Sequence, residues 1–195
     1  MQNMGLIKVW DPLVRVFHWS LVASFIIAFA TGDDFIQLHS WAGYVIFGLL
    51  AIRLVWGFIG PRYARFSNFT YSPATIKRFL KDTMQFKAKR YLGHNPAGGA
   101  MVLLLMLSLL LACVTGLLAL GAEEHTGPLA SWFTGRHPLW GDIAEESHEF
   151  FANFTLLLVF IHVIGVLFES FIHKENLVTA MINGFKHNNN PTENQ

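Results

Sequence analysis

The chain is expected to be all-α: a four-helix transmembrane bundle with both termini cytoplasmic and a short interfacial helix in the cytoplasmic loop. Three observations lead there. Hydrophobic residues make up 53% of the 195 residues and charged residues only 14%, the balance of a chain dissolved in lipid. Four apolar stretches, about 13–31, 39–59, 98–120 and 148–172, each approach the roughly 20 residues that a helix needs to cross about 30 Å of hydrocarbon. The last carries His148 and His162, fourteen residues apart. On a helix that spacing is about 21 Å of rise and about 40° short of four full turns, so both imidazoles share one face. With no charge after Glu149 and before His162, this helix belongs in lipid and its histidines look inward.

A chain of this length needs only one domain. Residues 1–187 are taken as a single transmembrane domain and 188–195 as a disordered polar tail. The net charge of +1 hides an asymmetry. Between Pro61 and Pro96 the basic residues Arg62, Arg65, Lys77, Arg78, Lys81, Lys87, Lys89 and Arg90 face one acid, Asp82. Between Gly121 and Ser147 the acids Glu123, Glu124, Asp142, Glu145 and Glu146 face Arg136 alone, and Asp33 and Asp34 follow the first stretch. Basic loops stay in the cytoplasm. The first and third loops are then outside, periplasmic in a Gram-negative bacterium, and the chain sits in the inner membrane. The basic residues are of the membrane-flanking kind, so lipid rather than nucleic acid is the expected partner.

Taken in order, Trp10-Asp11-Pro12 marks the start of the first span, with residues 1–12 a short cytoplasmic lead. Lys8 and Arg15 ahead of an apolar run also suit a cleaved signal peptide, but His18 and Trp19 are poor residues for its apolar core and cleavage would delete a candidate ligand. The second span opens at Leu38-His39-Ser40-Trp41 and stops at Gly60-Pro61. Its Gly43, Gly48 and Gly57 admit a flat ligand or simply a neighbouring helix. Arg53, fourteen residues after His39, falls on nearly the same face. Such an arginine either snorkels to the headgroups or binds an acidic cofactor group such as a haem propionate.

In the basic loop, Ser72 as N-cap and Pro73 at the first helical position start a helix. Its Ile76, Phe79 and Leu80 are expected to face lipid, as in an interfacial helix. The third span carries no histidine and is expected to complete the bundle without ligating anything. The acidic outer segment, 121–147, sets Leu129, Trp132, Phe133, Leu139 and Trp140 at the interface. A short surface helix is expected within 176–185. Cys113 is the only cysteine, which excludes an internal disulfide, a Cys-based zinc site and covalent attachment of haem.

Topology then sorts the histidines. His18 lies near the inner end of the first span and His39 at the outer end of the second, while the fourth span runs inward from His148 to His162. The depth-matched pairs are His18/His162 and His39/His148. Each pair can supply both axial ligands to a haem between helices. Zinc or copper fits less well, because two ligands at a level fall short of the four of structural zinc. Iron closed by two imidazoles has no free position for oxygen and favours electron transfer. Four separate packing or proton-handling histidines in a haem-free transporter or scaffold are the alternative from another class.

The segment Val9-Trp10-Asp11-Pro12-Leu13-Val14-Arg15-Val16-Phe17-His18-Trp19, the Leu38-His39-Ser40-Trp41-Ala42-Gly43 opening, Arg53-Leu54-Val55-Trp56-Gly57-Phe58-Ile59-Gly60 with Tyr63-Ala64-Arg65-Phe66, and the spaced His148 and His162 resemble the bacterial cytochrome b561 family, including the b-type cytochrome subunits of nickel-iron hydrogenases. The likeness covers about residues 9–185. It implies two non-covalent b haems held by His18, His39, His148 and His162, and electron exchange between membrane quinone and a partner protein in a respiratory chain. Arg15 and Arg53 are then candidates for holding the inner cofactor, and His94 either caps the third span or lines a quinone site. The fourteen-residue spacing suits the hydrogenase branch, but only about seven residues join the first two histidine helices, shorter than in that branch. A periplasmic c-type cytochrome or similar redox protein becomes the expected partner, with a hydrogenase-like complex as the alternative and a homodimer open. Acting on quinone by itself the chain would be a quinol or quinone oxidoreductase; superoxide oxidation at the outer surface is disfavoured by acids that repel an anion.

Overall fold

The computed structural model of the protein describes residues 5–32 and 34–187; the expected tail, 188–195, lies outside them. In order the elements are β1 (Leu6–Lys8), α1 (Pro12–Ala30), α2 (Ile36–Ile59), a 3-10 turn (Phe66–Asn68), α3 (Pro73–Met84), α4 (Pro96–Ala122), α5 (Ala130–Phe133), α6 (Leu139–His173), α7 (Leu177–Asn183) and β2 (Phe185–His187). Four of the helices, α1, α2, α4 and α6, are long and apolar enough to cross a membrane. They leave large apolar side chains uncovered, among them Phe58, Ile59 and Phe171 at 72%, 71% and 76% exposure, as lipid-facing surfaces do.

Local chemistry sets the helix ends. Asp11 precedes Pro12, and its Oδ1 accepts the N–H groups of Leu13 and Val14 at 3.0 and 3.2 Å, which caps α1. At α3 the Ser72 hydroxyl accepts from the Thr75 N–H. At α4 the side chain of Asn95, not His94, accepts from the Gly98 N–H at 2.6 Å. The helix α6 begins at Leu139, nine residues before His148. Pro138 precedes it and Asp142 lies in its first turn, where an acid interacts favourably with the helix dipole. Phe79 departs from its expected lipid-facing role: it is buried, with its ring 5.7 Å from that of Tyr91.

The lead before α1 is not wholly irregular. Its β1 pairs antiparallel with β2, Ile7 opposite Lys186, so the two ends of the described chain meet. Gly184, at φ +90°, makes this possible. Its carbonyl accepts from Val9 and Trp10 at 2.9 and 3.1 Å, and a Cβ there would lie 2.6 Å from the Trp10 oxygen.

The chain divides into two compact units. One comprises the residues up to Trp19, Arg53–Val102 and those from Ile161 on, with a core of Val9, Trp10, Val14, Ala64 and Ala180. The other comprises Ser20–Ile52 and Leu103–Phe160, with a core of Ala28, Ala42, Ile46, Leu50 and Leu109. Within this second unit all four long helices are tied. His39 joins α2 to α1, the Cys113 thiol approaches the Gly43 carbonyl to join α4 to α2, and hydroxyls of Ser108 and Thr155 join α4 to α6.

Candidate functional site

In the second unit the structure brings His39 of α2 and His148 of α6 together, ring centroids 5.7 Å apart and planes at 88°. No side chain fits between rings so close. Each ring is held by its Nδ1: His39 to the Ala28 carbonyl of α1 at 2.8 Å, His148 to the Ala112 carbonyl of α4 at 2.9 Å. A metal-bound histidine characteristically donates its other ring N–H to such an acceptor, leaving Nε2 for the metal. Gly43, one turn after His39, has nothing within 4 Å of where a Cβ would stand. The open space beside a tethered imidazole pair suits a flat macrocycle.

The helix α4 thus does more than complete the bundle. Beyond the Ala112 carbonyl it contributes Gly116, where a Cβ would stand 2.9 Å from His148 Cε1 and 3.0 Å from Nδ1, so His148 lies against bare backbone. A carbonyl cannot be read from residue type, but the small residues Ser108, Ala112 and Gly116 at four-residue spacing were the signal of a closely approached face.

The first unit holds His18 of α1, His162 of α6, Arg53, Arg15 and His94. The Nδ1 of His18 is buried without a hydrogen-bond partner. Arg53 is only 2% exposed and does not snorkel. Its Nη2 donates to the Ala64 carbonyl at 3.0 Å and its guanidinium lies 5.0 and 5.9 Å from the Phe66 and Phe69 rings. Nη1 is buried and unpartnered, an unmet donor suited to a carboxylate. Gly57 lies against the Phe66 ring, so its bare backbone serves this loop, whereas Gly43 and Gly48 border open space.

Arg15 turns toward α7, donating from Nη1 to the Ile182 carbonyl at 2.5 Å, with Nε buried and unpartnered. His94 is wedged between the Trp10 and Phe69 rings, centroids 4.7 and 4.5 Å away, with its Nδ1 unpartnered. Burial, with help from the nearby Arg53, Lys186 and His162, pushes its pKa down to about 3, so it is a neutral imidazole able to accept or donate a hydrogen bond. Among the described residues no three His, Cys, Asp or Glu side chains converge on a metal-sized point; the donor set is one of pairs.

A family model described as prokaryotic cytochrome b561 matches residues 9–184. The chain is similar to a protein of Azotobacter vinelandii called a probable Ni/Fe-hydrogenase B-type cytochrome subunit, at 24% identity over 92% of this chain and 88% of the relative. Its counterparts by the same name in Rhizobium leguminosarum bv. viciae and Azotobacter chroococcum mcd 1 are also 24% identical, over 91% and 92% of this chain and 87% and 88% of theirs. No solved structure matches.

Proposed function

The chain belongs to the prokaryotic cytochrome b561 family, and from that premise we propose that it is a dihaem b-type membrane cytochrome carrying electrons between the quinone pool and a redox partner at the opposite membrane face. His18 and His162 hold one haem and His39 and His148 the other. The observation that carries this reading is His39 set against His148, each ring tethered through Nδ1 to a backbone carbonyl. Each histidine pair would hold one haem, and haem held by two imidazoles would supply one-electron transfer. The chain's own residues orient the rings, exclude water through the apolar helices, and in Arg53 offer a buried donor to a propionate. His94, neutral and beside His162 and Arg53 in the electrostatic sense, is the group best suited to exchange a hydrogen bond with a quinone.

The basic segment between Pro61 and Pro96 puts both termini in the cytoplasm, in a bacterial inner membrane. The short connection from Ala30 to Ile36 and the acidic segment before His148 favour a soluble periplasmic c-type cytochrome as partner. A second reading, a membrane-anchoring subunit of a hydrogenase-like complex, draws on the names of the relatives.

The test is haem content. The detergent-purified protein is expected to carry two pyridine-extractable b haems per chain, with His148→Ala and His162→Ala each losing a different one. A colourless protein, expressed with ample haem, would return the histidines to the transporter or scaffold reading. Reduction of a soluble c-type cytochrome by the quinol-loaded protein separates the two partner readings.

A further inference from the structure

We propose that α3 and the turn that closes it form a binding site for an anionic phospholipid, with Lys77 and Lys81 on the headgroup phosphate and Leu80, Met84 and Phe86 on the adjoining acyl chain. This goes beyond electron transfer and needs only that the apolar helices lie in lipid. The orientation of α3 is fixed by its own packing. Phe79 and Thr83, one turn apart, are 6% and 8% exposed, and the Phe79 ring lies 5.7 Å from that of Tyr91. These two residues mark the face turned to the protein. Leu80 and Met84, about 100° and 140° round the helix from Phe79, stay 48% and 79% exposed. Lys77 and Lys81 follow at about 160° and 200° and are exposed. An uncovered apolar edge thus borders a cationic ridge. At a bilayer surface the edge reaches hydrocarbon while the ammonium groups stay at the level of the phosphates.

Charge on the ridge is unanswered within the chain. The one acid of α3, Asp82, lies about 140° round the helix from Lys77 and about 100° from Lys81, and among the described residues neither lysine enters an ion pair. Two neighbouring cations one turn apart repel each other, and a phosphate between them removes that repulsion. The turn adds an independent observation. Lys87 donates its N–H to the Asp82 carbonyl at 2.8 Å and Phe86 to the Thr83 carbonyl at 3.0 Å, the pairing that ends a helix on a left-handed residue, usually glycine. Here that residue is Phe86, at φ +58°. A bulky side chain in this conformation is an outlier, and such strain persists where a position serves a function. Its ring is 65% exposed and lies 5.9 Å from that of Phe168, on α6, which is apolar enough to cross a membrane. The protein itself does not bury the ring that it holds there. Acyl chains beside α6 would.

The test uses the full chain, stripped of lipid in detergent and then offered equal amounts of phosphatidylglycerol and phosphatidylcholine with matched acyl chains. Retained phospholipid is counted by native mass spectrometry. The expected result is retention of phosphatidylglycerol over phosphatidylcholine by at least about fivefold, the step for one basic side chain at an anionic lipid surface. The double variant Lys77→Gln/Lys81→Gln is expected to abolish this preference. Lys8→Gln, which removes an exposed cation of the same unit outside α3, is expected to leave it unchanged. Phe86→Gly keeps the turn, because glycine suits the left-handed position, and is expected to lose retention of both lipids. Equal retention of the two lipids by the parent, a preference that survives the double variant, or one that falls as far in Lys8→Gln would overturn the proposal. Release of phosphatidylglycerol by inorganic phosphate at constant ionic strength would also overturn it, by revealing a site for free anions. Undiminished retention in Phe86→Gly would overturn the part assigned to the turn.

Discussion

The hydroxyls of Ser108 on α4 and Thr155 on α6 are hydrogen-bonded in an interface where Ser108 is 2% and Thr155 0% exposed. Thr155 also donates to the Phe151 carbonyl at 2.7 Å, so its one proton is committed and Ser108 must be the donor of the pair. The two substitutions are therefore unequal. Thr155→Val strands the Ser108 hydroxyl in an apolar setting and is expected to cost about 1–2 kcal/mol. Ser108→Ala leaves Thr155 satisfied by Phe151 and is expected to cost less, and the double variant to be no worse than Thr155→Val. Thermal unfolding in detergent ranks them; a Ser108→Ala protein weaker than Thr155→Val would contradict this assignment of donor and acceptor.

Asp11 joins a helix start to a distant tryptophan: besides capping α1, its Oδ1 accepts from the Trp56 indole at 3.2 Å. Asp11→Ala is expected to lose about 1–2 kcal/mol through the cap and to loosen Trp56, seen as a shift in tryptophan fluorescence. Asp11→Asn keeps an oxygen for both bonds and is expected to lose much less. Equal losses in the two variants would mean that the charge of Asp11, rather than its acceptor geometry, is what α1 needs.

These examples show which features were legible in the chain. Lipid demands continuous apolar runs and tolerates few polar residues, so four spans stand out, and a Ser-Pro or Asp-Pro step announces a helix start by its own chemistry. The pairing of Leu6–Lys8 with Phe185–His187 leaves no local mark, because three-residue strands at opposite ends of a chain carry no periodicity. The acids Asp142, Glu145 and Glu146 read as part of an outer segment by charge, yet α6 begins at Leu139 and takes them into the helix that carries His148; charge alone does not mark where a helix begins. Arg53 illustrates a different limit: residue type allows snorkelling or burial, and only the positions of Ala64, Phe66 and Phe69 decide between them.

Lys186 is 5% exposed in β2, and its carboxylate partner is Glu175 at 3.5 Å, itself held by Arg90 at 2.7 Å. Burial would raise the Glu175 carboxyl, but Arg90 and Lys186 hold it below its ordinary value. This contribution is present above the usual carboxylate range and is lost as the pH falls through the depressed pKa. Glu175→Ala leaves a buried ammonium without its counter-charge, a loss of about 3–5 kcal/mol where burial is complete. The expected result at neutral pH is local opening of β2, read as faster amide exchange across Phe185–His187 and earlier proteolysis of the C-terminal segment. Unchanged exchange there would mean that the bond from Lys186 Nζ to the Tyr91 carbonyl, 3.4 Å long, suffices to hold the lysine.

His94 supplies the acid-side counterpart. Its pKa is pushed down to about 3, first by burial and then by Arg53, Lys186 and His162, against about 6.5 in an unfolded chain. Between these values the unfolded state binds more protons, so stability is full above about pH 6.5 and declines by at most about 1.4 kcal/mol per pH unit as the pH falls toward about 3. His94→Phe keeps an aromatic ring between Trp10 and Phe69 and removes the titration. Unfolding temperature in detergent is expected to fall less steeply with acid in this variant than in the parent over that window. Parallel slopes would mean that His94 takes up its proton with the fold intact, its ring leaving the Trp10–Phe69 slot for water.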